Sequence, residues 1–313
     1  MSPATSRPLT EDDDRFHAVG DPHPLWTETT WWGFAAPERA GGGPLGGMVY
    51  TLFRPNLGVA TVVVNVWDGT AVEPWRSPYS RSQWHLPMPK ADLDDLEVGM
   101  LGIRCSEPLH AYQLTYADGP ALTFDLQVEG VMAPHNVAAT EAFGHFDQLC
   151  HVTGAVSLAG EELVVDSLAV RDRSWYVRDD LRSMRSGYTY GAVDASEHFL
   201  AYSRPGDGDD VDGGDVFGGY LVRDGEKADL ASGTRRVHGR RRGHPDEVEI
   251  EAVDTLGRAL TARGRITASL ASQSTPGMFA WMSIADWTID GRRGHGEDHD
   301  VWSPDRLARR AAT

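Results

Sequence analysis

The run Arg171-Asp172-Arg173-Ser174-Trp175 sets one acid between two guanidinium groups and three residues before a large ring. Those residue types suit proton transfer, because a carboxyl group that is desolvated or paired is shifted from its solution acidity toward catalytic use. The run ends the apolar stretch Leu163 to Val170. If that stretch is a strand, alternation places Val164, Asp166, Leu168, Val170 and Asp172 on one side, so Asp172 is expected to point where apolar residues point. It would then act as general acid or base, with Arg178 and Glu28 as candidates for orienting it or a substrate oxygen. The structural alternative is an ion pair of Asp172 with Arg171, Arg173 or Arg178 that pins a turn between two domains.

Other constellations carry less chemistry. His145, Asp147 and His151 share parity on one strand face, but at about 3.3 Å per residue the two histidines stand about 20 Å apart and cannot serve one small site. His145 alone, or Asp147 with His151 at about 13 Å, can reach a pocket from different depths. His295 and His299 have the spacing of zinc ligands on a helix, yet Gly294, Gly296 and the missing Glu after the first His argue against a helix, so no metal is expected. The acidic, glycine-rich stretch Asp207 to Asp215 lacks the bidentate Glu of a calcium loop and is expected to be a solvated hairpin loop. No nucleophile elbow, phosphate loop or dinucleotide fingerprint is present, which removes the common hydrolase, kinase and dehydrogenase readings and leaves no cofactor expected. Cys105 and Cys150 allow at most one disulfide and fit two small buried residues of a reducing compartment.

Aromatic residues are the remaining feature: ten Trp, with Trp26, Trp31 and Trp32 clustered, and Trp175, Tyr176, Tyr188 and Tyr190 around the acidic run. Such rings fill cores, or they line a pocket for an apolar ligand and turn electron-rich faces to a developing cation. Trp175, Tyr188, Tyr190, Trp32, His145 and Trp281 are the candidates for contacting a substrate.

The elements that position these residues are strands. Leu122, Phe124, Leu126 and Val128 alternate with polar residues, as do Val248, Ile250 and Ala252, the pattern of half-buried antiparallel strands. Further strands are expected over 48–54, 60–67, 100–105, 111–116, 149–157, 186–193, 198–203, 217–222, 260–270 and 278–289. Helix is expected only over Ala91 to Val98, as a short turn, and after Ser303-Pro304, where a capping residue precedes a first-turn proline. With 34 Gly and 18 Pro as punctuation, the pattern points to β-barrels or sandwiches, and the length to two domains. The basic run Arg235 to Arg242, among glycines and a proline, reads as an exposed turn. A net charge of −17 repels nucleic acid and anionic lipid. No stretch approaches the roughly 20 apolar residues of a membrane span, and the N-terminus is acidic, so a cytoplasmic protein is expected.

From Gly154 through Val165 to Arg171-Asp172-Arg173-Ser174-Trp175, the sequence resembles the junction motif of the tandem lipocalin-like superfamily. That group contains carotenoid 1,2-hydratases, AttH-like proteins and several cyclases of polyketide and terpenoid pathways. The opening Trp26 to Phe34 and the late Trp287, Asp290-Gly291 and Gly296-Glu297 resemble the same architecture. The resemblance implies an all-β fold of two antiparallel lipocalin-like β-barrels or sandwiches in tandem, over 1–178 and 179–313, with a short C-terminal helix. It also implies an apolar pocket and, in the hydratase branch, a junction aspartate that protonates an alkene; that role falls on Asp172. Arg173 stands where hydratases tend to carry His, and Ser174 where an acid is common, which puts water addition in doubt but not proton transfer. The expectation is a cofactor-independent enzyme, a hydro-lyase or an isomerase or cyclase, acting on a hydrophobic terpenoid or polyketide-like molecule. The alternative is a non-catalytic binding or carrier protein for such a ligand, with Asp172 structural.

Overall fold

The computed structural model describes residues 6–17, 23–36, 44–140, 142–179, 184–205 and 211–311. Residues 207–210 of the acidic loop lie outside that set. One compact unit takes in Met1–Gly41, Leu45–Val66 and Pro78–Asp179; the other takes in Gly42–Pro44, Trp67–Ser77 and Asp180–Thr313. The segment Trp67–Ser77 thus leaves the N-terminal stretch to join the second unit.

Among the described residues the first unit is built on the strands Trp26–Ala36 (β1), Leu45–Arg54 (β2), Val59–Trp67 (β3), Tyr79–Pro87 (β4), Asp95–Val98 (β5) and Leu101–Glu107 (β6). Ala111–Asp118 (β7), Leu122–Gly130 (β8), His135–Ala139 (β9), Phe143–Leu158 (β10) and Glu161–Val177 (β11) follow. They form one antiparallel sheet in the order β4-β3-β2-β1-β11-β10-β8-β7-β6-β5, with β9 beside β10. Side chains from across it, such as Phe34, Val64, Phe124, Leu126, Val152 and Val165, meet in a single core. The sheet is therefore curled in the manner of a barrel.

The second unit is a closed antiparallel barrel of Arg185–Asp194 (β12), Glu197–Arg204 (β13), Gly213–Arg223 (β14), Glu226–Arg241 (β15), His244–Asp254 (β16), Ala259–Thr275 (β17), Met278–Ile289 (β18) and Arg292–Trp302 (β19). Each strand pairs with the next, and β19 pairs with β12. The helix Pro304–Ala311 (α1) closes the chain with proline in its first turn. The two-barrel all-β architecture and the terminal helix agree with the expectation. The short helix expected over Ala91 to Val98 does not form: Asp95–Val98 is strand β5, folded back on β6 through Gly99 in the left-handed region at φ 61°.

In β11 Leu163, Val165, Ser167, Ala169, Arg171, Arg173 and Trp175 are buried on one face; on the other, Val164 and Asp166 are exposed and only Val170 and Ser174, toward the strand's end, are buried. The inward face is the opposite of the one that apolar Val164 and Leu168 suggested. Two guanidinium groups are thus buried in the first unit, where unpaired charge is prohibitive. Arg171 donates to Gln148 Oε1 (2.8 Å) and Asp14 Oδ1 (3.1 Å) and lies over the Tyr112 ring at 4.3 Å. Arg173 pairs with Glu28 and donates to the Arg15 carbonyl at 2.8 Å. His17 reaches Glu28 and Asp13 at 3.2 Å each and stacks on Trp175 at 3.9 Å. Trp175 packs so tightly on β10 that a Cβ at Gly144 would fall 1.9 Å from its ring.

The second barrel repeats the device. The reading of the basic run as an exposed turn is corrected for Arg235 and Arg240, which lie on β15: Arg235 makes a two-pronged pair with Asp298 (2.9 and 2.6 Å), and Arg240 meets Asp300 at 2.6 Å. Arg236, Arg241 and Arg242 are exposed. Arg185 also pairs with Asp300 at 2.6 Å. Burial opposes ionisation of Asp300, yet Arg185, Arg235 and Arg240 together hold its carboxyl down to about 2. Removing that charge leaves cations buried without their counterion. Asp300→Asn is therefore expected to cost about 3–5 kcal/mol of stability, read as a lowered denaturant midpoint with unchanged slope.

Candidate active site

The face of the first unit turned away from its core carries a cluster of polar and aromatic side chains spread over four neighbouring strands. Alternation and register build it. Tyr50 of β2 stands opposite Trp31 of β1, Trp31 opposite Asp172 of β11, and Asp172 opposite Asp147 of β10, so these four side chains form one row. The next row, two residues along, is Thr29, Ser174 and His145. Arg178, just past the end of β11, reaches back over both rows. It donates from Nη1 to the Tyr50 hydroxyl at 2.8 Å and from Nη2 to Ser174 Oγ at 3.3 Å, and lies over the Tyr176 ring at 4.9 Å. Ser174 and Thr29 share a hydroxyl hydrogen bond of 2.6 Å.

Two acids face each other across β10 and β11, an arrangement that disfavours like charges unless cations stand beside them. Two cations do. His145 Nε2 lies 3.4 Å from Asp147 Oδ1, with the carboxylate fully buried. Burial pushes the imidazole toward its neutral form, but Asp147, and then Asp172, raise it to about 9, so it is charged at neutral pH. Arg178 supplies the second charge. Burial pushes the Tyr50 phenol up to about 12, which keeps it a hydroxyl. The cluster therefore joins a carboxylate pair, a cationic imidazole, a guanidinium and a neutral phenol beside an indole, groups able to carry a proton and to steady either sign of developing charge.

The structure brings Asp172, Arg178 and His145 together. Glu28, Trp32 and Trp175 belong to the opposite, inward face, since Glu28 is paired with Trp175 and Trp32 with Arg171. Glu28 is thus corrected from a group orienting Asp172 to the counterion of Arg173 within the core. Arg171 and Arg173 turn inward too, so neither is the ion-pair partner of Asp172 that the structural alternative allowed. Tyr188, Tyr190 and Trp281 are in the second unit. Tyr188 stacks on His299 at 5.3 Å, and Tyr190 donates to Glu297 Oε1 at 3.2 Å, Glu297 in turn meeting His299 Nε2 at 2.7 Å. Trp281 lies on the opposite face of that barrel wall, level with Asp300. Sequence reasoning missed Trp31, Tyr50 and Asp147 as neighbours of Asp172. Trp31 stood in the aromatic cluster, but only the β1–β11 register tells it from Trp32.

Among the described residues no group of three or more His, Cys, Asp or Glu side chains could hold a metal ion. Cys105 and Cys150 are both free, and burial pushes their thiols up to about 11 and about 12, so neither is a ready nucleophile. No helix among the described residues is long and apolar enough to cross a membrane.

A family model described as a domain of unknown function, DUF7064, matches residues 10–298. No curated protein matches the chain by sequence. In fold the chain is similar to an AttH-like protein from Nitrosomonas europaea, with a TM-score of 0.63 at 15% identity over 96% of this chain and 98% of that one. It is also similar to kievitone hydratase from Nectria haematococca, with a TM-score of 0.56 at 11% identity over 88% and 89% of the two chains. CghA, solved with Sch210972, gives 0.55 at 12% identity over 90% and 89%. At 11–15% identity these likenesses are of fold, and at that level the resemblance carried by the junction motif holds.

A histidine whose folded value lies near 9 against 6.5 in the open chain adds stability that is complete below 6.5 and is lost as pH rises through about 9. Thermal unfolding of the protein should therefore weaken between those limits, and His145→Gln should remove that slope while leaving the acid limb unchanged.

Proposed function

The chain belongs to the DUF7064 family, and on that premise we propose that it is a cofactor-independent enzyme acting on a hydrophobic small molecule of terpenoid or polyketide-like character. Asp172 transfers a proton to or from the substrate in a hydration, dehydration, isomerisation or cyclisation step. The observation that carries this reading is the cross-strand pair Asp147–Asp172, set between cationic His145 and Arg178 and beside Trp31.

In this mechanism Asp172 protonates an alkene or removes the proton that re-forms one. The ring of Trp31, level with Asp172 and 6.3 Å from Tyr50, offers its face to positive charge developing on carbon. Arg178 and the Tyr50 hydroxyl face a substrate oxygen, and His145 balances the acid pair whichever carboxyl gives up its proton. Trp31 and Tyr50, with Tyr176 beneath Arg178, supply the apolar contact a greasy substrate needs. The reading draws further on the hydratase among the proteins that share this fold.

The test is incubation of the protein with isoprenoid and polyketide-type compounds bearing a conjugated alkene, followed by mass and retention analysis of the products. Conversion by the wild type and a loss of about 10² to 10⁴ in rate for Asp172→Asn is the expected result. Activity of the variant within about threefold would remove Asp172 as the proton carrier. A ligand that binds but is recovered unchanged would favour the carrier reading.

A further inference from the structure

We infer that the second unit holds a separate binding site for a small oxyanion of the carboxylate or phosphate type, where the β15–β16 turn meets the segment Asp68–Val72. A cavity of about 280 Å³ lies there, with Thr70, Arg241, Arg242, His244, Thr267 and Ser269 in its lining. Its volume is at the lower end for ligand pockets, and its polar wall does not suit the greasy molecule proposed for the face around Asp172.

The turn itself points to an anion. Arg241 pairs with His244, and the two residues between them, Arg242 and Gly243, are both left-handed, at φ 53° and 93°. Two-residue hairpins of this form favour Asn-Gly, so an arginine at the first position holds a conformation that its side chain disfavours. Arg242 is exposed at the cavity wall and has no ion-pair partner among the described residues. Arg241 beside it has, among the described residues, a single ion-pair contact, 3.4 Å to Asp246.

Behind the turn stand two buried N–H donors with no hydrogen-bond partner, Arg240 Nη2 and Trp281 Nε1. Arg240 Nη1 holds the Gly243 carbonyl at 3.0 Å while its guanidinium is already paired with Asp212 and Asp300, and a Cβ at Gly243 would come 3.6 Å from Trp281 Nε1, so both side chains back the turn and do not line the cavity. The opposing charge is Asp68, whose Oδ1 accepts from the Thr70 amide and hydroxyl at 2.9 and 2.5 Å. His244 donates Nδ1–H to the Pro245 carbonyl at 2.7 Å, and burial keeps its ring below the usual imidazole value, so it adds no cation at neutral pH. In the cavity lining, two weakly engaged guanidiniums, Arg241 and Arg242, thus stand with a single carboxylate, Asp68, that is already engaged, and an oxyanion between the arginines completes the set.

The test is thermal unfolding of the full chain in sodium phosphate and, separately, in sodium succinate, each matched in ionic strength by sodium chloride. A saturable rise in Tm beyond that of chloride is expected for at least one of the two, and which anion gives it identifies the source of the oxyanion. Arg242→Gly suits the left-handed turn and should unfold no earlier without anion, yet bind about tenfold more weakly, as loss of one charge-assisted hydrogen bond predicts. Calorimetric titration of phosphate into wild type and Arg242→Gln gives an independent reading of the same loss. A shift no larger than that of chloride, or one equal in wild type and both variants, would overturn the proposal.

Discussion

Strand β11 is hydrogen-bonded along both edges, to β1 and to β10, and its alternation therefore cannot slip without exchanging every side chain between faces. That constraint sends Arg171, Arg173 and Trp175 into the first unit and sets Asp172 and Ser174 on the other side. The two faces of one short run then serve separate ends. Inside, Arg171 and Arg173 draw Asp14, Glu28 and His17 around them and so bind the stretch 6–17 to the sheet. Outside, Asp172 meets the residues that β1, β2 and β10 bring level with it.

Both units bury arginine–carboxylate networks within their cores, which is a costly use of an interior unless every charge is answered. Arg173 with Glu28, Arg235 with Asp298, and Asp300 with three guanidiniums meet that requirement. A chain with a net charge of −17 thus holds several of its basic residues inside, where they are spent on structure. The cluster around Asp172 differs in kind. Its cations, His145 and Arg178, stand beside a pair of acids that the register forces together, so the groups are held close by the sheet and not by their own attraction.

The strands were largely legible, because period-two alternation is a local property and Gly and Pro mark its ends. Ala91 to Val98 misled because a short segment of mixed residues has no reliable period. Arg235 misled in another way: on composition a basic run among glycines is solvent-facing, and only the arrival of Asp298 from a distant strand makes its burial tolerable. Of the candidate site, Asp172, Arg178 and His145 were visible as residue types; Trp31 and Asp147 were noted in other patterns and Tyr50 not at all, and none of the three was visible as a neighbour of Asp172.

By itself the sequence determined that the chain alternates, that it forms two β units with a terminal helix, and that an acid, a guanidinium and a ring occur within a few residues of one strand end. It did not determine which parity of β11 faces inward, since Val164 and Val165 are equally apolar and only the closed core selects between them. Nor could it tell Trp31 from Trp32 as the indole beside Asp172, or bring Asp147 opposite it. Those choices belong to register between strands far apart in the chain, and register is set by the packing of the whole sheet.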